Sequence, residues 1–87
     1  MLAIDVKVKF YGSLATGIGS EININMPAGS TLMDLLRLLS QKNSEINPEN
    51  PNLIIFINDA ESHLYGGLKA KLNDNDVISI LPAAHGG

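Results

Sequence analysis

Hydrophobic and polar residues alternate in the first ten positions of the chain. The apolar positions there are Ile4, Val6, Val8 and Phe10, and the polar residues between them are Asp5, Lys7 and Lys9. A period of two is typical of a β-strand with one face in a core. The alternation returns at Ile22, Ile24 and Met26 after a glycine-rich stretch. These two strands are therefore predicted to form a hairpin with a long loop.

The next pattern has the period of an α-helix. Leu32, Leu35, Leu36 and Leu39 fall at i, i+3, i+4 and i+7, so they share one helical face. Ser30 or Thr31 can cap this helix, and Asp34 follows Thr31 three residues later, as in a capping box. Residues 43–52 contain two prolines and four asparagines. The helix cannot continue through them, and a surface loop is predicted.

Two further strands are predicted in the second half of the chain. Residues 53–57 form a short continuous apolar run, typical of a strand that is buried on both faces or covered by the helix. In residues 77–81, Ile78 and Ile80 alternate with Val77, Ser79 and Leu81 and indicate the last strand. Between these two strands, residues 64–72 could hold a short edge strand, although a pair of glycines interrupts it.

The order of these elements predicts an α+β domain with the ubiquitin-like β-grasp architecture. One main helix would pack on a mixed sheet of four to five strands. By analogy with that fold, the first and last strands are expected to be parallel neighbours in the middle of the sheet. The expected domain spans residues 1–82, and a flexible tail that ends in diglycine spans residues 83–87.

Composition excludes several classes of function. The 87 residues carry a net charge of −3, and nucleic acid or an anionic membrane requires a basic surface, so neither is expected as a partner. The chain has no cysteine, which removes disulfides, thiolate nucleophiles and thiolate metal sites. His63 and His85 are too isolated to indicate a metal site. No signal peptide or membrane-spanning run is recognised, so a cytoplasmic protein is expected. The free protein is also expected to be a monomer.

The end of the sequence carries the strongest functional signal. The chain finishes with Pro82, Ala83, Ala84, His85, Gly86 and Gly87 directly after the last predicted strand. Small residues can pass through a narrow channel of a partner, and two terminal glycines arise by chance in about one chain in two hundred. The alternative is an ordinary frayed terminus. In the functional interpretation a partner binds Pro82, His85 and Gly86, and the α-carboxylate of Gly87 reacts.

An ionised carboxylate is a poor electrophile, so Gly87 cannot react without activation. The plausible chemistry is activation by ATP to an acyl-adenylate, followed by attack of a sulfur or nitrogen nucleophile. Every catalytic group would then come from partner enzymes. The chain is therefore expected to bind no cofactor itself and to act as a carrier, with no catalytic side chains of its own.

A second candidate site lies on the outward face of the two central strands. Tyr11 and Leu81 have the opposite parity to the core residues and lie near the base of the tail. With Val77, and with Leu64 as a further member, they are predicted to form an apolar patch where a partner docks. The alternative is a set of singly exposed apolar side chains, which need no functional explanation.

The sequence resembles the MoaD/ThiS family of sulfur carriers over nearly its whole length. The resemblance rests on residues 6–11 (VKVKFY), residues 55–58 (IFIN), residues 72–82 (LNDNDVISILP) and the diglycine at 86–87. Residues 72–82 with the diglycine are the most specific part, because the turn, strand, proline and diglycine occur at the family's spacing. The chain departs from the family at Ala83, where a second proline is frequent, and at His85, where a small residue is usual.

The resemblance implies a specific series of partners. An adenylating enzyme similar to ubiquitin-activating enzymes would activate Gly87 with ATP, and a thiocarboxylate would form there. The tail would then enter the large subunit of molybdopterin synthase, and this chain would act as the small subunit in molybdenum or tungsten cofactor biosynthesis. The resemblance also assigns Tyr11 and Leu81 to an apolar docking surface.

Three other functions remain open from the sequence. A ubiquitin-like protein modifier would use the same adenylated Gly87 to form isopeptide bonds with lysines. A sulfur carrier for thiamine or tRNA thiolation would differ only in the last acceptor. A plain β-grasp interaction module would have a chemically inert tail.

Overall fold

One mixed sheet and one α-helix make up the fold in the computed structural model, which describes residues 2–16 and 18–83. The elements within these residues are β1 (Ala3–Phe10), β2 (Glu21–Pro27), α1 (Leu32–Leu39), β3 (Leu53–Ile57), β4 (Ala60–Glu61) and β5 (Val77–Pro82). Short 3₁₀ turns cover Gly12–Ala15, Ser62–Tyr65 and Gly67–Lys69. The long strands and the helix lie where the hydrophobic pattern predicts them.

The strands are arranged in the order β2-β1-β5-β3-β4. β1 and β5 are parallel, with a register that runs from Lys7 opposite Val77 to Phe10 opposite Ile80. The other neighbours are antiparallel. The predicted parallel pair at the centre of the sheet is confirmed, and the arrangement is the ubiquitin-like β-grasp. Because β5 is central, the chain leaves the domain from the middle of the sheet.

The hydrophobic core lies between α1 and one face of the sheet. Its fully buried members include Val6, Val8, Leu35, Ile78 and Ile80. α1 presents its four predicted leucines to this core. The helix is eight residues long, and the described residues form no helix that is long and apolar enough to cross a bilayer.

A capping box begins the helix, as the sequence predicts. The backbone N–H of Thr31 donates to Oδ2 of Asp34 at 2.9 Å, and the N–H of Asp34 donates to Oγ1 of Thr31 at 3.3 Å. These hydrogen bonds satisfy backbone donors that the first turn of a helix leaves free. The bond from the Thr31 backbone, followed by that from its hydroxyl, lowers the pKa of the Asp34 carboxyl from its ordinary value of 3.8.

The short edge strand lies earlier than predicted. β4 follows β3 after only two residues, Asn58 and Asp59, and pairs with the end of β3. Asn58 has φ +57°, a conformation that asparagine adopts more readily than most residues and that permits such a tight reversal. The predicted strand region 64–72 instead contains 3₁₀ turns, because Gly66 and Gly67 both have positive φ. Only a single bridge, between Thr31 and Lys71, forms there in the described chain.

The asparagine-rich segment 43–52 is the predicted surface loop, and its side chains order it. Asn43, Asn47 and Asn50 each accept a hydrogen bond from the backbone N–H two residues later, at 2.9 to 3.0 Å. Each forms an Asx turn, which mimics a backbone turn. Ile46 in the same loop is fully buried in the core. The buried Ile46 therefore anchors the loop to the core, and the three Asx turns stabilise its backbone.

Candidate functional site

The end of β5 is held by hydrogen bonds to the segment that precedes β3. Pro82 is paired with Leu53, and the N–H of the next residue, Ala83, donates to the carbonyl oxygen of Asn52 at 2.7 Å. Strand-like pairing thus reaches the first residue of the predicted tail. The remaining predicted tail residues, including the predicted partner-binding residues His85 and Gly86 and the predicted reactive residue Gly87, lie outside the described residues.

On its other side, β5 meets the turn that follows β1. The N–H of Tyr11 donates to the carbonyl oxygen of Ile80 at 3.1 Å, which extends the parallel pairing by one step. Gly12 then has φ +61°, and a Cβ atom on it would lie 3.4 Å from Cγ of Pro82. Pro82 therefore lies beside Gly12 on one side and is paired with Leu53 on the other. The position at which the predicted tail begins is therefore defined by its neighbours on both sides.

An apolar stripe crosses the sheet face that α1 does not cover. Its members are Tyr11, Ile54, Phe56, Val77 and Leu81. Ile54 is the cross-strand partner of Leu81, and Tyr11 follows the Phe10–Ile80 pair in the parallel register. Phe56 faces Ser79, which brings it diagonally close to Val77. The stripe therefore runs from the exit of the tail to the start of β5.

Three of the four predicted docking residues belong to this stripe. Tyr11 is 45% exposed, and Val77 and Leu81 are half-buried between neighbouring strands. Leu64 is 77% exposed but lies in the 3₁₀ turn after β4. β1 and β4 are separated by three inter-strand steps, or about 14 Å, so Leu64 is not next to Tyr11. The docking role of all four residues stays a prediction.

Sequence analysis missed two members of the stripe, Ile54 and Phe56. The continuous apolar run of β3 is compatible with burial on both faces or with cover by the helix on one face. The structure confirms cover by the helix on one face. Ile55 and Ile57 enter the core, whereas Ile54 is 37% exposed on the opposite face. A fully apolar strand in a fold with a single helix was the available signal, because one helix covers only one face of a sheet.

Charged groups of both signs border the stripe. Lys7 and Lys9 lie on β1 opposite Val77 and Ser79, and Glu61 lies opposite Phe56. Nζ of Lys7 is 3.7 Å from Oε2 of Glu21, in an exposed pair that contributes little to stability. An apolar centre with a charged rim has the composition of a protein-binding surface.

The described residues contain no group of three side chains that could hold a metal ion. The arrangement is suited to docking and to presenting a chain end.

Comparisons with known proteins agree with this geometry. The chain is 28% identical over 78 residues to ubiquitin-related modifier 1 homolog 2 of Arabidopsis thaliana, an alignment that covers 77% of this chain and 79% of the relative. The solution structure of small archaeal modifier protein 1 from Methanosarcina acetivorans has a TM-score of 0.77 and 26% identity, and covers 98% of both chains.

A third similar protein is a putative molybdopterin converting factor, subunit 1, from Pyrococcus furiosus. Its TM-score is 0.76 with 19% identity, over 93% of this chain and 99% of that one. At this identity the likeness shows the fold alone. The model of the ThiS family matches residues 8–87, which is most of the sequence. The chain therefore belongs to the ThiS family of ubiquitin-like β-grasp sulfur carriers.

Proposed function

We propose that this chain is a sulfur carrier that works as the small subunit of molybdopterin synthase. Its Gly87 carboxylate would be adenylated and converted to a thiocarboxylate. The observation that carries the proposal is the match of the ThiS family to residues 8–87, which includes the terminal diglycine. The anchored exit of β5 beside an exposed apolar stripe supports it, because a partner that docks on the stripe can reach the tail.

The reaction has two steps. A carboxylate oxygen of Gly87 attacks the α-phosphorus of ATP, and the bond to the leaving pyrophosphate breaks. A hydrosulfide-equivalent nucleophile then attacks the carbonyl carbon of the acyl-adenylate, a carbon–sulfur bond forms, and AMP leaves with the electron pair of the broken carbon–oxygen bond. The product is a thiocarboxylate, whose sulfur is a good nucleophile for transfer to an acceptor.

The tail is long enough to carry the Gly87 carboxylate from the surface of the domain into the active site of a partner. Gly87 is four residues beyond Ala83, and four extended residues span about 13 Å. That length lets a terminal carboxylate enter an active site while the apolar stripe remains against the outside of the same partner. An adenylating enzyme similar to ubiquitin-activating enzymes is the first proposed partner, and the large subunit of molybdopterin synthase is the second.

A protein modifier is the second candidate. The relatives at 28% and 26% identity are both named as modifiers, which favours this alternative specifically. In it the ε-amine of a lysine attacks the same acyl-adenylate, and an isopeptide bond and AMP are formed. The two functions share the activation step and differ in the nucleophile that follows.

Mass spectrometry of the protein from its native host distinguishes these functions. Replacement of one oxygen by sulfur at Gly87 is the expected result for the carrier. Gly87 joined to lysines of other proteins would identify a modifier. Deletion of Gly87 serves as the control, because it should abolish either product and leave the fold intact. An unmodified carboxylate after incubation with the cognate activating enzyme and ATP would contradict both functions and leave an interaction module.

A further inference from the structure

The side chain of Asn50 is hydrogen-bonded to Asn52, the residue whose carbonyl oxygen binds the first residue of the predicted tail. Its Oδ1 accepts a hydrogen bond from the backbone N–H of Asn52 at 2.9 Å, and its Nδ2 donates to the carbonyl oxygen of Glu45 at 2.7 Å. The carbonyl oxygen of Asn52 in turn accepts the N–H of Ala83 at 2.7 Å. One side chain thus connects the middle of the loop to the first residue beyond β5.

The loop that carries Asn50 is itself fixed to the domain. Ile46 is fully buried, and Nδ2 of Asn43 donates to the carbonyl oxygen of Leu14 at 3.3 Å. Leu14 belongs to the Gly12–Ala15 turn, which also places Gly12 against Pro82. The loop and the turn are therefore joined to each other, and they hold the chain from two sides where it leaves the sheet.

We propose that Asn50 is a positioning residue for the reaction at Gly87, an inference that rests on the proposed function. By fixing Asn52, Asn50 keeps Ala83 in line with β5, so that the four residues that follow start from one place and in one direction. A partner that binds the chain end then has fewer conformations to select. Order that is present before binding improves affinity without changing the chemical step.

The expected effect is on substrate binding. One hydrogen bond has a net value that corresponds to about a two- to tenfold change in an equilibrium constant. Loss of the Asn50 side chain should therefore raise the KM for adenylation by about that factor. The kcat should remain within about twofold, because Asn50 acts on the chain end only through Asn52 and Ala83, and the bound chain end still reaches ATP.

The loop contains a matched control in Asn47. Its Oδ1 accepts the N–H of Glu49 at 2.9 Å, and its Nδ2 donates to the carbonyl oxygen of Ser44 at 2.8 Å. Asn47→Ala thus removes the same two kinds of hydrogen bond as Asn50→Ala, from the same loop. The bonds of Asn47 do not involve Asn52, so this change leaves the contact with Ala83 in place.

The test compares the wild-type protein, Asn50→Ala and Asn47→Ala as substrates of the cognate activating enzyme in ATP–pyrophosphate exchange. Hydrogen exchange of the Ala83 amide, measured by NMR, gives a readout independent of activity. We expect a higher KM and faster Ala83 exchange for Asn50→Ala alone. Asn50→Asp keeps the acceptor for the Asn52 N–H but loses the donor to Glu45, so it should restore only part of the wild-type behaviour.

The outcomes separate this inference from the proposed function. If the wild-type protein is not adenylated, the proposed function is contradicted. If it is adenylated and the two alanine variants have the same KM, the positioning role of Asn50 is wrong and the proposed function stands. Unchanged exchange of the Ala83 amide in Asn50→Ala would also overturn the inference, because the contact with Asn52 would then not depend on Asn50.

Discussion

A side chain at the position of Gly12 would contact Pro82, although 70 positions separate the two residues in the sequence. Gly12 has φ +61°, and the position of its missing Cβ lies 3.4 Å from Cγ of Pro82. A Cβ at that distance makes an ordinary contact, whereas the two γ-carbons of valine would extend towards the proline ring. The residue at position 12 therefore influences where the last strand ends.

Substitution of Gly12 should separate backbone strain from this contact. Gly67 has a similar φ of +65° but has no atom within 4 Å of the position of its Cβ. Gly12→Ala and Gly67→Ala should each lower the free energy of unfolding by about 1–2 kcal/mol, the cost of a left-handed conformation. Gly12→Val should cost more than Gly67→Val in urea denaturation. Equal losses for the two valine variants would show that the Pro82 contact does not constrain position 12.

The apolar stripe should be needed for binding and not for folding. Ile54→Lys places a charge in the stripe beside Leu81, where the side chain of Ile54 is 37% exposed, so the free energy of unfolding should change by less than about 1 kcal/mol. Binding to the activating enzyme should fall by at least about tenfold, because the partner would have to cover the charge.

Leu38→Lys is the control for Ile54→Lys. Leu38 is 43% exposed on α1, away from the open face of the sheet. It should leave the affinity for the activating enzyme close to that of the wild-type protein in isothermal titration calorimetry. Equal affinities for the two lysine variants would argue against docking on the stripe.

The capping box predicts a pH dependence of stability. The pKa of Asp34 is lowered in the folded protein, so the unfolded chain binds this proton more readily. Ionised Asp34 therefore stabilises the fold above its ordinary pKa of 3.8, and this stabilisation is lost as the pH falls through the folded pKa. Wild type should be more stable than Asp34→Asn at pH 7 in urea denaturation, with a smaller difference at pH 2. A difference that stays constant between these values would contradict this role.

Asp76 should be important for the start of β5. Its side chain is buried, Oδ2 accepts the N–H of Asn73 at 2.7 Å, and Oδ1 accepts from Nδ2 of Asn58 at 3.1 Å. Asp76→Ala leaves both donors without this partner and should cost about 1–3 kcal/mol in chemical denaturation. Asp74→Ala should cost less, because the Asp74 side chain is exposed and accepts one backbone N–H, from Asp5. Similar losses for the two variants would mean that burial of Asp76 adds nothing.

Local features of the fold could be predicted from the sequence, and contacts between distant segments could not. The alternation in β1 and the Thr31–Asp34 cap each involve residues only a few positions apart, so a short stretch of sequence is enough to predict them. The bond between Asn52 and Ala83 depends on the register of β3 and β5. The sequence indicated only that residues 43–52 form a loop, not that the loop meets the tail. The exposure of Ile54 likewise depends on which sheet face the helix covers.

The central position of β5 makes the fold depend on the strand that carries the tail. A protein cut before Val77 would lose the hydrogen-bonding neighbour of both β1 and β3, together with the buried residues Ile78 and Ile80. Such a fragment has exposed strand edges and an incomplete core, which makes it a target for cellular proteases. A cut within the last strand would thus remove the fold together with the chain end.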